Sequence, residues 1–140
     1  MTGPLTIPDD LLYLVTTDRV GAVSWARTDG TVVSHLMWID WDGEHLLTSS
    51  PIGSIKGQHA RRNGQVSVVA VDRDDPWRYV NMRGRVTDIV PDENLEFIDK
   101  MSVRYTGQPY YRRGFEREIF VITPDHVSLG RGGWARKPST

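Results

Sequence analysis

A closed or partly closed, mostly antiparallel β-barrel is the fold class that this 140-residue sequence predicts. Short runs rich in β-branched and aromatic residues alternate apolar and polar positions, as half-buried strands do. Tight-turn signals join them: Asp29-Gly30 and Asp42-Gly43 readily take the positive φ that hairpins need. The helical stretches are short and lie between strands, which suits helices that cover the ends of a barrel. The reading yields six or seven strands and three short helices, with residues 1–7 and 135–140 as loose tails of one domain spanning 1–140.

Taken in order, Pro8-Asp9-Asp10 followed by Leu11, Leu12, Leu14 and Val15 predicts a short helix capped by Asp9. Strands over 20–27, 32–41 and 45–49, joined by the two Asp-Gly turns, predict a three-stranded meander. Residues 54–62 predict a helix with Ser54 as its cap and Asn63-Gly64 as its stop. Residues 65–71 form a fourth strand and 77–90 a long fifth. In the fifth, Val80, Met82, Val86 and Val90 share one parity while Tyr79, Asn81, Arg83 and Arg85 take the other. Gly84 in its middle predicts a bulge or a barrel corner. Pro91-Asp92 opens a helix with Leu95, Ile98, Met101 and Tyr105 on one stripe, ending near Gly107. A last strand covers 117–123 and continues past Pro124 through 127–129.

Composition removes several function classes. The net charge of −1 gives no basic field for duplex DNA. No apolar run reaches the ~18–20 residues that span a bilayer, and the N-terminus lacks the basic start and apolar core of a signal peptide. With no cysteine, thiol chemistry and thiolate metal sites are absent. His45, His59 and His126 show no metal-ligand spacing. These features predict a cytoplasmic protein with no nucleic-acid or membrane partner.

The near-zero charge is unevenly spread. Residues 1–44 carry seven acids and two bases, whereas 45–71 carry no acid but Lys56, Arg61 and Arg62. Within that window the exit of the third strand, Thr48-Ser49-Ser50, runs into the helix start Ser54-Ile55-Lys56. A first helical turn offers unpaired N–H groups and a partial positive charge, which suits phosphate. The hydroxyls add donors, Lys56 adds a full charge, and Gly57 allows a close approach. A plain capped helix with solvated bases accounts for the same residues, and on them alone both readings stand.

The run Thr48-Ser49-Ser50-Pro51-Ile52-Gly53-Ser54-Ile55-Lys56-Gly57-Gln58-His59-Ala60, followed by Val66-Ser67-Val68, resembles the flavin segment of the pyridoxamine 5′-phosphate oxidase-like split barrels. The likeness extends over roughly residues 9–130. It is similar in particular to the branch that uses the 8-hydroxy-5-deazaflavin coenzyme F-420. The resemblance implies an FMN-binding-type split barrel, a homodimer with two cofactor sites at its interface, and hydride transfer from the reduced cofactor to a small conjugated or planar acceptor. It implies that Lys56 and Ser54 hold the phosphate. It implies that Thr48, Ser49 and Ser50 border the ring, and that the strand with Ser34, His35, Leu36 and Met37 lies along it. Trp77 matches an aromatic position that reaches the other subunit's cofactor.

Two departures shape the cofactor expectation. Ile55 stands where the oxidases proper place a second phosphate-binding Arg, and their Arg-x-x-x-Lys pair is replaced by Ser34-His35-Leu36-Met37-Trp38. Both weigh against tightly held FMN, and the lack of a convincing pyridoxal phosphate clamp weighs against true pyridoxamine phosphate oxidase activity. Coenzyme F-420, with its phosphodiester and glutamate tail, suits the acid-free window. FMN in the same fold, or a non-catalytic flavin, deazaflavin or haem carrier, are the alternatives. The cofactor carries the chemistry, so no side chain is assigned as catalytic; His35 and Tyr79 are the candidates for a proton donor, with a structural role the plainer reading of His35. Trp25, Trp38, Trp41, Trp77 and Trp134 are expected mostly in core or interface, with one or two at a planar ligand. The stretch 105–114 mixes aromatics with arginines; lining the substrate opening is the preferred reading, with a single-strand nucleic-acid surface or a plain solvated loop as alternatives.

Overall fold

The computed structural model describes residues 5–133; Trp134 and the tails at 1–4 and 135–140 lie outside the described residues. The strands are β1 (Gly21–Ala26), β2 (Val32–Met37), β3 (Asp40–Trp41), β4 (Leu46–Pro51), β5 (Gln65–Val71), β6 (Arg78–Pro91) and β7 (Arg117–Arg131). The helices are α1 (Tyr13–Thr16), α2 (Ile55–Arg62) and α3 (Glu96–Thr106), and single 3₁₀ turns precede α1 and α3. All strand pairings are antiparallel, in the order β2-β1-β5-β6-β7-β4-β3.

That order turns the sheet into a split barrel. β2 and β3 sit at opposite ends of it, yet only Trp38 and Ile39 separate them in the chain. Three Cα–Cα steps of about 3.8 Å cannot span more than about 11 Å, so the sheet must curl until its ends are neighbours. No ladder among the described residues joins those ends, and the wall is split there.

The expected three-stranded meander does not form. The strand expected over 32–41 breaks at Trp38-Ile39, because Ile39 turns into the core and is fully buried. Its first half pairs with β1 and its second half with β4, on the opposite edge. Asp9 does not cap the first helix either: Pro8 holds the cap position, and no side chain bonds there.

The interior is apolar and closely packed. The Trp25 ring meets Phe120 edge-on, with centroids 5.5 Å apart, and both are fully buried. Leu11, Leu14 and Val15 bury one side of the N-terminal segment in the same core. Complete burial of each such side chain contributes about 1.5–3 kcal/mol.

The bulge expected at Gly84 is present, as a register shift between Arg83 and Gly84 opposite Pro124. A Cβ at Gly84 would fall inside 3.0 Å of the Thr123 carbonyl and Pro124 Cα, both backbone atoms that cannot turn aside. Gly84→Ala is expected to cost about 1–3 kcal/mol or more through this overpacking. A urea midpoint equal to wild type would show that β7 can move away.

α3 is capped from a distance. Both Asp92 carboxylate oxygens accept first-turn amides, from Phe97 N at 2.8 Å and Ile98 N at 2.9 Å. Asn94 and Leu95, at φ 56° and 59°, make the turn that brings those amides onto Asp92. The helix is then tied to β3 by the buried Asp40, which accepts from Lys100 Nζ at 3.0 Å and Arg104 Nη1 at 2.9 Å. This places Ile98 and Met101 over the outer face of the β4–β7 ribbon.

Candidate functional site

The β4–β7 ribbon carries two polar clusters at one end, one on each face. Successive residues of a strand point to opposite faces. Ser50 and Glu118 are register partners on the core face; Ser49, Pro51 and Arg117 lie on the outer face.

On the core face, Glu118 is 3% exposed and accepts a two-pronged pair from Arg61, at 2.6 and 2.8 Å. This pair fastens α2 to the start of β7. A Cβ at Gly57 would meet Glu118 Oε2 at 2.8 Å and Arg61 Nη1 at 2.9 Å. Gly57 therefore makes room for the ion pair.

Ser54 caps α2 as expected. Its Oγ accepts from Gly57 N at 3.2 Å and from Ser50 Oγ at 2.8 Å. With both acceptor sites used, its own O–H is left free to donate. The amides of Ile55 and Lys56 in the first turn have no intrahelical acceptor. Among the described residues Lys56 makes no ion pair.

A cavity of about 500 Å³ joins the α2 start to the outer face of the ribbon. Ser49, Ser50, Ser54 and Lys56 line one side, and Leu36, Met37 and Trp38 form an apolar wall. Ile98 and Met101 form the floor under Tyr110, Arg112 and Arg117. None of the described lining residues is acidic. Pockets of roughly 300–1,000 Å³ suit small molecules and cofactors, and this one offers a flat apolar wall beside hydroxyl, amide and ammonium donors. Those residues fit a planar ring that carries an anionic tail.

Of the residues singled out from sequence, Met37, Ser49, Ser50, Ser54 and Lys56 come together here. Thr48 does not touch the cavity: it is buried, and its Oγ1 donates to the Trp38 carbonyl at 2.8 Å, which sets the turn that presents Trp38. Ser34 points to the outside of the barrel, paired with Ser24 Oγ at 2.7 Å. Ile55 is 60% exposed and faces a neighbouring groove with His35, His59 and Arg62. Trp77 is half exposed beside the Asp72–Asp75 turn, away from this cavity within the protomer. Tyr79 packs against Gly130 on the β6–β7 ribbon. Neither proton-donor candidate, His35 or Tyr79, lines the cavity.

His35 is held below the ordinary histidine range, first by burial and then by the positive charges of Lys56 and His59. Its Nε2 is buried without a partner. The unfolded chain therefore binds a proton at this position at higher pH than the folded chain does. Stability contributed by neutral His35 is full above the unfolded value of about 6.5 and is lost as pH falls below it. The thermal midpoint of wild type is expected to decline more steeply than that of His35→Gln between about pH 7 and about pH 5. Parallel declines would contradict this.

Sequence reasoning missed Arg117. It is 8% exposed, and its Nη2 donates to Ser49 Oγ at 3.2 Å. Its guanidinium lies over the Tyr110 ring, 5.1 Å from the centroid. Burial holds its pKa below the usual guanidinium value. A signal existed: Arg117 and Glu118 are adjacent at the start of a strand, so they face opposite ways and cannot neutralise each other. The expected opening loop does reach the cavity, through Tyr110 and Arg112. Asp99 anchors it, accepting from Tyr110 N at 3.0 Å and Arg113 Nη1 at 2.7 Å. Trp38 stacks on Tyr105, with centroids 5.2 Å apart and planes 9° from parallel.

The chain is a split barrel with a donor-lined cavity beside the start of α2. The family model described as pyridoxamine 5′-phosphate oxidase matches residues 7–129, and this chain belongs to that family. Among solved structures, an F-420 reductase is 33% identical, with a TM-score of 0.77, over 87% of this chain and 98% of that one. Rv2991 from Mycobacterium tuberculosis is 21% identical, with a TM-score of 0.71, over 99% and 96% of the two chains. HupZ of Group A Streptococcus is 16% identical, with a TM-score of 0.63, over 91% and 99%. The last two share the fold. No curated protein matches the sequence. No helix among the described residues is long and apolar enough to cross a membrane.

Proposed function

We propose that this chain is an oxidoreductase that uses the deazaflavin coenzyme F-420 to reduce a small conjugated or planar acceptor. The observation that carries this reading is the acid-free cavity, in which the Ser54 cap and an unpaired Lys56 face an apolar wall. The F-420 reductase at 33% identity supports it. When bound, the reduced cofactor supplies the hydride.

The chain's own residues bind, orient and shield. Lys56 and Ser54, with the first-turn amides, hold the anionic tail. Met37 and Trp38 press on the ring and keep water from it. The Asp99-anchored loop carries Tyr110 and Arg112 over the opening where the acceptor enters. Ile55 in place of a second phosphate-binding cation favours coenzyme F-420 over FMN.

A homodimer is part of the proposal. The outer faces of β1, β2 and β5 carry small or apolar residues such as Ala22, Ser24 and Val69, and Val32 and Leu36 are 66% and 74% exposed. Trp77 reaches a cofactor only across such an interface. Light scattering of the purified protein is expected to give twice the chain mass.

The test is turnover. Purified protein with reduced coenzyme F-420 and a panel of enones and quinones is expected to oxidise the cofactor only when an acceptor is present. Tight binding without turnover across the panel would make the protein a carrier. FMN bound more tightly than F-420 would move it to the flavin branch.

A further inference from the structure

The two arginines nearest the ribbon end differ in a way the cofactor does not explain. Arg61 meets the buried Glu118 in a two-pronged ion pair. Arg117 is 8% exposed, yet among the described residues no carboxylate pairs with it. Its Nε is buried with no hydrogen-bond partner. Its neighbours are a hydroxyl, Ser49 Oγ, and the Tyr110 ring. The nearest carboxylate, Asp92, makes no ion pair with it and acts only through space, while both its oxygens accept α3 amides. Arg112 adds a second positive charge to the same wall.

A buried cation with no carboxylate in ion-pair contact is costly, and replacing it with an apolar residue of similar volume is often neutral or stabilising. Its placement in the lining of a cavity points to an anion that arrives there. The guanidinium fork matches a planar carboxylate, through two parallel N–H···O bonds. Arg117 lies on the outer face of the ribbon, whereas Ser50 and Ser54 belong to the cluster on the core face. The two clusters therefore present their donors to the one cavity from different faces of the ribbon.

We propose that Arg117, with Ser49 and Tyr110, forms a second oxyanion subsite in the cavity, which takes the carboxylate of a planar, carboxylate-bearing substrate. The proposal rests on the oxidoreductase reading for the word substrate; the anion subsite itself stands on the unpaired guanidinium. An oxyanion from the cofactor tail has the same chemistry, and the experiment separates the two sources.

The probes are benzoate and its neutral isostere benzamide, titrated into the full-length protein loaded with coenzyme F-420 and followed by calorimetry. Wild type is expected to bind benzoate at least tenfold more tightly than benzamide. Arg117→Met is expected to abolish that preference, and Arg117→Lys to keep only part of it, because an ammonium lacks the fork. Coenzyme F-420 affinity is expected to stay within about twofold in Arg117→Met, and light scattering is expected to give the wild-type mass.

A preference that survives in Arg117→Met overturns the proposal, as does no preference in wild type. Loss of F-420 affinity in Arg117→Met assigns the guanidinium to the cofactor tail. A change of mass assigns it to a partner's carboxylate. Either result overturns the proposal while leaving the proposed function standing. If coenzyme F-420 does not bind wild type, the oxidoreductase reading fails, and the benzoate arm on the same protein still decides the subsite.

Discussion

Lys56→Ala is expected to weaken binding of coenzyme F-420 by about 1.5–3 kcal/mol, which is roughly 10- to 150-fold in Kd, the range of a charge-assisted hydrogen bond in a partly enclosed site. The side chain lines the cavity beside Ser54, no described carboxylate competes for it, and no acid lines the cavity. Folding should be little changed, because Lys56 takes no part in the α2 cap or the Arg61–Glu118 pair. A fluorescence titration of wild type and variant reads the effect. Equal affinities would make Lys56 a solvated helix residue.

Trp25→Ala has the largest effect expected on stability, about 3–5 kcal/mol for an indole deleted from a closed core. Trp25 is fully buried at the centre of β1, edge-on to Phe120 from β7. Those strands lie on different parts of the curled sheet, so a single side chain spans the barrel interior. Its Nε1 is buried without a partner, so some of the loss is offset by removing an unsatisfied donor. Chemical denaturation measures the difference. A change below about 1 kcal/mol would mean that the core collapses into the gap.

Locally encoded features were legible in the sequence. The Ser54 cap, the extent of α2, the whole of β5 and the bulge at Gly84 each depend on residues a few positions apart. The positive φ of Gly30 and Gly43 follows from the same short-range chemistry. Strand order was not legible. The break at Trp38-Ile39 arises because Ile39 gains more from the core than β2 gains from continuing, and neither neighbour signals it.

The site divides along the same line. Ser54 and Lys56 were readable because a helix start displays them in sequence. For Arg117 the sequence shows only that it and Glu118 face opposite ways; its contact with Ser49, 68 residues away, is not readable there. Thr48 was read as bordering the ring, but strand alternation turns it inward to hold Trp38. Ser34 sits one position from His35 on an edge strand, and its parity sends it outward to Ser24. Trp77 lies away from its own protomer's cavity, and its expected reach into the other subunit's site belongs to the dimer proposal.

The central claim is that the acid-free cavity beside α2 holds a deazaflavin. The most direct test is an equilibrium titration of purified wild-type protein with coenzyme F-420, followed by fluorescence, with FMN titrated in parallel. The expected result is saturable micromolar binding of F-420, weaker binding of FMN, and a loss of F-420 affinity in Lys56→Ala. Absence of F-420 binding in that range would contradict it.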